Sequence, residues 1–438
     1  MKNHREEAIA ILLAGIEGVK PEPLIRRFVS LSDHLLQVGT MSFPLSPSTH
    51  IYLTGAGKAS ALMAGAMENI FGKRISEGHV ITKYHHAVPL RYVSVTEAGH
   101  PVPDEKGLEG TKKILALAQK AGPGDIFFCL LSGGGSALLT DVPEGCSLQD
   151  IKETSDLLIK SGATIHQINC VRKHLSCVKG GQLARMAYPA TVISLILSDV
   201  TGDDLSVIAS GPTAPDPSTY ADAMNIIAAY ELKEQIPQSV YRYLQEGMAG
   251  QHQETVKEED PVFEKTHNLL IGNNRMALEA ARQKAEELGY ETQIVTHSLE
   301  GDCEDVARHL AEMAKSTRAV KGQEKICLLL GGETTVRVKG NGLGGRNQHL
   351  ALLFASLLEQ QEGITFLSAG TDGTDGPTDA AGAVCDLFTL QHAKNLNLSI
   401  RDYIERCDAY HFFRQEGGLV ITGPTGTNVM DMLILLID

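Results

Sequence analysis

Short, almost wholly apolar runs recur along the chain, each followed by a glycine-rich polar stretch and then by apolar residues at helical spacing. HIYLT leads into Gly55-Ala-Gly-Lys-Ala-Ser60, IFFCLL into Ser132-Gly-Gly-Gly-Ser136, and TVISLIL into Ser198-Asp199. A continuous apolar run of this length is what a strand buried on both faces requires, and glycine marks its exit at the sheet rim. Between these runs, residues 5 to 18 place Ala8, Ile9, Leu12, Leu13 and Ile16 on one helical face, ended by Gly18. A helix through Ile114 and Leu117 precedes IFFCLL, and one from Arg275 to Leu288 ends at Gly289. Alternating strands and helices predict an α/β protein whose sheets are mainly parallel, with the loops gathered at one rim.

Residues 247–262, GMAGQHQETVKEEDPV, lose periodicity and gain charge. They read as a linker between an N-terminal domain, 1–246, and a C-terminal domain, 263–438. The second series opens at HNLLIGNN and continues through ETQIVTH, ICLLL and ITFLSAG.

The densest signal lies at 326–349. The ICLLL run stops at Gly331-Gly332, Glu333 follows, and Thr334, Val336 and Val338 alternate as a second short strand would. Gly344-Gly345 then precede Arg346-Asn347-Gln348 at the start of an apolar helix. Glycines admit a ligand close to the backbone, helix-start amides attract anions, and a guanidinium suits phosphate or carboxylate. This stretch is expected to form half of an anion site.

Composition narrows the partners. The 438 residues carry a net charge of -14, which argues against nucleic acid or an anionic membrane as main partner. Local basic groups would have to attract an anionic substrate. Eight cysteines without a CxxC pair, some inside strand-like runs, fit a reducing compartment and give no zinc signature. With no apolar run of membrane-spanning length and no signal-peptide layout at the start, a cytoplasmic protein is expected. His100, His174 and His349 are assigned to no metal.

Familiar phosphate motifs fail one by one. Gly55-Ala-Gly57-Lys58 lacks the P-loop's spacing, and Ala59 follows the lysine. A dinucleotide fingerprint needs glycine where Ser60 stands and an acid after the next strand, which ends in Thr82-Lys83. What remains is a glycine turn with Lys58 ahead of a helix, where its charge opposes the helix dipole unless an anion binds. Ser132, Gly133, Gly134, Gly135 and Ser136 offer amides and hydroxyls to a carboxylate or phosphate; the order does not match a GxSxG nucleophile elbow. Asp199 follows a buried strand and is placed to accept a hydroxyl proton, with Asp203 and Asp204 as loop-holding acids. Arg172 and Lys173 are read as anion-facing. The aspartates of 371–379 lack the calcium-loop order. Asp372 and Asp375, with Glu333, are instead candidate ligands for a Mg²⁺ that neutralises polyphosphate.

Taken in order, GAGKA, AGHPVPDEKG, LLSGGGSALL, VRKHLSCVKGGQLA, SDVTGDDLSVIASGPT, GGETTV, GLGGRNQ, SAGTDGTDGPTDAAGA and GPTGTNVMDM resemble the class II glycerate 2-kinase family. The resemblance runs from about residue 6 to the C-terminus. It implies a Rossmann-like N-terminal domain and a MOFRL-type C-terminal domain with the active site in the cleft between them. It also implies ATP and Mg²⁺ as cofactors and phosphorylation of D-glycerate at its 2-hydroxyl. By matching motif, Lys58, Asp199 and Arg346 correspond to the catalytic trio. Gly55, Gly57, the Ser132–Ser136 loop, Arg172, Lys173, Gly344, Gly345 and Asn347 are the binding candidates. A homodimer is left open. The alternative activity is an NAD(P)H-dependent hydroxypyruvate reductase.

Overall fold

A computed structural model describes residues 4–322, 324–358 and 362–438. Contacts divide the chain into two compact units, Pro21–Ile271 and a second built from residues up to Lys20 with Gly272–Asp438.

The first unit carries a small antiparallel sheet, β1 (Val29–Leu31), β2 (Leu35–Val38) and β3 (Met41–Pro44). Its main sheet uses β4 (Ile51–Ala56), β5 (Glu77–Lys83), β6 (Ser94–Ala98), β7 (Ile126–Leu131), β8 (Thr191–Leu197) and β9 (Thr266–Gly272). Their order is β6-β5-β4-β7-β8-β9, and β6 through β8 pair in parallel as expected. The all-apolar IFFCLL strand is explained by its two faces. Phe127, Cys129 and Leu131 share a core with Ile114 and Leu117 of helix Glu105–Lys120. Phe128, one residue out of phase, meets Phe71 of helix Ser60–Phe71 edge-on at 5.5 Å.

The second unit departs from the expected parallel pattern. Its sheet runs β10-β11-β15-β12-β13-β14, with β10 at Glu291–Asp302, β11 at Ile326–Thr335, β12 at Ile364–Gly370, β13 at Gly382–Asp386, β14 at Leu419–Val420 and β15 at Asp431–Ile437. Among the described residues only the β10–β11 pairing of this sheet is parallel; β15 lies antiparallel between β11 and β12, and β13 and β14 continue antiparallel. The last strand is reached from β14 through a loop, so no crossover helix forces it parallel. Gly331-Gly332 do not end β11, which continues to Thr335. A Cβ on Gly332 would stand 2.2 Å from the Leu299 carbonyl, so glycine lets the strand pass its neighbour rather than stopping it. Residues 336–345 form no strand, and Val338 is exposed.

Domain boundaries also shift. Helix His4–Glu17 belongs to the second unit. It buries Ala8, Ile11, Leu12 and Ile16, while Leu13 faces solvent. Gly15 packs tightly there: a Cβ would lie 3.0 Å from the Ala277 carbonyl oxygen and would displace the end of Met432. Arg5 fastens the helix through two hydrogen bonds to Asp386 at 2.8 and 2.7 Å and one to the buried Glu416 at 2.9 Å. At the other boundary, 247–262 is stitched into the first unit rather than linking two. Val256 is fully buried and its backbone bonds Gly180 and Asp216, while Glu254 accepts from the Tyr220 amide at 2.9 Å. β9, expected to open the second domain, closes the edge of the first sheet.

Candidate active site

Parallel pairing brings three loops to one rim of the first unit. Ala56 aligns with Leu131, and Leu131 with Ile196, so the segments after β4, β7 and β8 leave adjacent strands spaced about 4.8 Å apart. Lys58, the Ser132–Ser136 loop and Asp199 all follow those strand ends. The first two loops interlock. Gly57, at φ +142°, lies so close to Ser132 that a Cβ would stand 2.1 Å from its hydroxyl oxygen. The Lys58 amide donates to the Gly133 carbonyl at 2.9 Å, and the Ala59 amide to Ser132 Oγ at 3.0 Å. Ser132 is therefore a buried tie between the loops, not a ligand-facing hydroxyl. Gly55 has a similar packing role, since a Cβ would meet the Leu130 carbonyl at 2.3 Å. Gly135 packs against Ala209. Lys58 and Asp199 are each half-buried at this rim.

Ser136 leads to a group that sequence reasoning missed. Its hydroxyl lies 2.7 Å from that of Ser210, which donates to Asn169 Oδ1 at 3.1 Å. Ala209 and Ser210 hold φ of +51° and +59°, followed by Gly211 at +60°. Left-handed backbone at a non-glycine residue costs on the order of 1–3 kcal/mol and persists only where the surroundings enforce it. Here Gly180 and Gly181 donate to the Ser210 and Gly211 carbonyls at 3.1 and 2.7 Å. The only sequence trace of this clamp is Lys179-Gly180-Gly181 facing IASG, which reads locally as two unrelated turns.

Beside the Ser132–Ser136 loop lies a cavity of about 640 Å³, bordered by His100, Gly134, Ser136, Arg172 and Lys179 among others. Arg172 Nε donates to Ser155 Oγ at 3.3 Å, and burial lowers its pKa below the usual guanidinium value. Lys173, its sequence neighbour, points elsewhere: it is buried 3.3 Å from Asp216 Oδ1, so it is an internal ion pair and not an anion ligand. Helical geometry turns consecutive residues about 100° apart, which is why the pair splits. Lys179 donates to the Leu139 carbonyl at 2.6 Å. Its pKa is lowered by burial, against the pull of Asp141 3.9 Å away. Among the described residues all eight cysteines are free thiols.

The predicted anion site of the second unit is filled from within. Helix Arg346–Leu357 starts after Gly345, and Asp375 accepts from the Asn347 and Gln348 amides at 3.1 and 2.8 Å. Gly345 is close enough that a Cβ would lie 2.2 Å from Asp375 Oδ1. The protein's own carboxylate thus occupies the helix start. Burial pushes the Asp375 pKa up to about 6, opposed by those two amides. Asn347 is buried and also receives the Ser368 hydroxyl at 2.6 Å, so it is structural. Gly344, at φ +156°, shapes the same turn. Arg346 is forked onto buried Asp431, Nε at 2.6 Å and Nη2 at 3.0 Å, with Nη1 2.6 Å from Glu333. Burial would lower its pKa, but Asp431 and Glu333 outweigh that and raise it.

These placements bear on the metal candidates. Glu333 pairs with Arg346, Asp375 caps a helix, and Asp372 closes a turn by accepting from the Thr374 amide and hydroxyl at 3.0 and 2.9 Å. Among the described residues no group of three His, Cys, Asp or Glu side chains is arranged to hold a metal. The three acids do not fit a resident Mg²⁺ site. No described helix is long and apolar enough to cross a membrane.

Such a pairing of a parallel α/β sheet with a mixed-sheet unit, each with basic groups at a glycine-rich rim, defines a class of two-unit α/β proteins. The profile of a domain of unknown function (DUF4147) matches residues 7–245, and that of the MOFRL family matches 326–431. A glycerate 2-kinase of Pyrococcus horikoshii is 39% identical, covering 99% of this chain and 97% of the relative. A D-glycerate 2-kinase of Thermotoga maritima is 41% identical, covering 98% and 97%. A crystal structure of a Thermotoga maritima glycerate kinase superposes with a TM-score of 0.87 at 40% identity, over 100% of both chains. Some relatives bear a provisional hydroxypyruvate reductase name. The chain belongs to the class II glycerate 2-kinase family.

Proposed function

We propose that the protein transfers the γ-phosphoryl group of ATP to the 2-hydroxyl of D-glycerate, giving 2-phospho-D-glycerate and ADP. The observation that carries this reading is the shared rim of β4, β7 and β8, where Lys58, the Ser132–Ser136 loop and Asp199 leave neighbouring strands. Phosphoryl transfer asks for positioning and charge neutralisation more than covalent help. Asp199 accepts the proton of the attacking hydroxyl. The Lys58 ammonium neutralises charge that develops on the transferred group. Arg346 is taken as the third catalytic residue on its motif: its contacts to Asp431 and Glu333 leave donors on both terminal nitrogens, so it is an oriented donor on a rigid base. Mg²⁺ would neutralise polyphosphate charge as part of the ATP complex, with none of Glu333, Asp372 and Asp375 assigned to hold it.

A reductase would need a bound nicotinamide nucleotide. Ser60, at the third-glycine position of the missing fingerprint, is buried with its hydroxyl on the Gly57 and Ile81 carbonyls at 2.8 and 2.7 Å. The decisive experiment is phosphorus NMR of the product formed from ATP, Mg²⁺ and D-glycerate. A 2-phosphoglycerate resonance is expected. The 3-phospho isomer as sole product, or hydroxypyruvate reduction as the only activity, refutes the reading.

A further inference from the structure

The cavity beside the Ser132–Ser136 loop combines features that a small acid does not need. At about 640 Å³ it falls within the roughly 300–1,000 Å³ typical of drug-sized ligands, far more than a three-carbon acid fills. Helix Leu148–Lys160 lines it with Ile151, Ser155 and Ile159, three positions on one face at i, i+4 and i+8. Val102, on the loop before helix Glu105–Lys120, adds another apolar side chain. Ile159 and Val102 remain 58% and 62% exposed, so the wall of the cavity holds large apolar groups in water that a ligand's apolar face would cover.

Its charges are unequal. Asp141 is already held by the Ser176 hydroxyl at 2.6 Å and lies near Lys179, so that acid and that ammonium balance. Glu153 accepts from Gln149 at 2.9 Å and Asp156 pairs with Lys160 at 2.6 Å. Arg172 has no carboxylate within ion-pair distance among the described residues; its one side-chain partner is Ser155. A desolvated cation without an anion is costly, and an anionic ligand removes that cost. A guanidinium also stacks on flat aromatic rings. Gly134 and Ser136 border the same cavity, and the preceding residue, Gly133, receives the Lys58 amide. The cavity therefore adjoins the rim that carries the chemistry.

We propose that this cavity is the nucleotide pocket, holding the base of ATP against Ile151, Ile159 and Val102 and a phosphate on Arg172. This rests on the kinase reading, and it assigns the phosphoryl donor, not glycerate, to this part of the first unit.

The test is calorimetric titration of the full chain with ADP, together with KM values for ATP and D-glycerate. Arg172→Ala should weaken ADP binding by roughly tenfold to a hundredfold, the loss expected for one desolvated charged hydrogen bond, and Arg172→Lys should recover part of it. Ile159→Glu, at an exposed position, should weaken ADP binding without shifting the melting temperature, and it keeps the test open should Arg172→Ala fold poorly. In Arg172→Ala and Ile159→Glu the KM for ATP should rise while that for D-glycerate stays within about threefold. Unchanged ADP affinity in Arg172→Lys and Ile159→Glu overturns the assignment, as does a rise confined to the KM for D-glycerate; either leaves the kinase reaction standing if 2-phosphoglycerate is still made. Weakened ADP binding in variants of a protein that makes no 2-phosphoglycerate supports the pocket and removes the reaction.

Discussion

Two regions of this molecule start from the same local signal and are completed in different ways. Gly55-Ala-Gly-Lys58 with the Ser132–Ser136 loop, and Gly344-Gly345-Arg346, are each glycine turns with a basic residue at or just before a helix start. In the second, carboxylates supplied by distant segments complete the site: Asp431 and Glu333 hold Arg346, and Asp375 takes the helix amides. In the first, the loops tie to each other through backbone and Ser132, and Arg172 nearby has no acid partner among the described residues. A glycine-rich basic turn marks a place where an anion fits. Whether that anion is a ligand or the protein's own side chain depends on which acids the fold delivers there.

If the contrast holds, variants in the first region should act on turnover, while those in the second should act on stability as well. The largest effect is expected for Asp199→Asn, which cannot accept the hydroxyl proton. Its kcat should fall about 10²- to 10⁴-fold with ADP binding retained in titration, and near-normal turnover removes the aspartate from the mechanism. Lys58→Ala and Arg346→Ala should each lower kcat by about 10² to 10³. Arg346→Ala should also lower the urea midpoint, because it orphans Asp431; an unchanged midpoint breaks the comparison.

Asp431→Asn sharpens the same point from the acid side. Breaking a buried pair costs about 3–5 kcal/mol, and since the Arg346 side chain is 33% exposed, about 2–3 kcal/mol in denaturant unfolding is expected here. A pH series probes Asp375. Its folded pKa, about 6, lies above its ordinary 3.8, so the folded state binds the proton more tightly than the unfolded state. Stability should therefore decline as pH rises from about 4 to about 6, by something on the order of 2 kcal/mol, and Asp375→Asn should flatten that dependence. A wild-type profile indistinguishable from that of Asp375→Asn would place the titration elsewhere. Smallest of all, Glu333→Gln should change stability by no more than about 1 kcal/mol, since the pair it leaves is half exposed. A larger loss in unfolding would mean that Glu333 carries the weight assigned here to Asp431.

Sequence alone determined what depends on neighbours along the chain. IFFCLL and TVISLIL are strands because their residues are apolar at every position, and such strands bury both faces. Their polar exits place Ser132 and Asp199 at a common rim once parallel pairing is granted. Ordered motifs likewise carried the family assignment, which full-length relatives bear out. What only the tertiary structure decided depends on residues far apart in the chain. Helix His4–Glu17 joins the second unit through Arg5 and Asp386, nearly the whole chain apart. β15 inserts antiparallel because of where the final loop returns, a choice its own apolar residues do not encode. Lys173 and Arg172 are adjacent and both basic, yet Asp216 claims one while the cavity receives the other. Asp375 resembles a metal ligand in its loop and becomes a helix cap because Gly345 lets it approach. Apolar patterning is local, since burial of a strand is a property of the strand. Charge compensation is not, because the Coulomb partner of a side chain is whichever group the fold brings within a few ångströms.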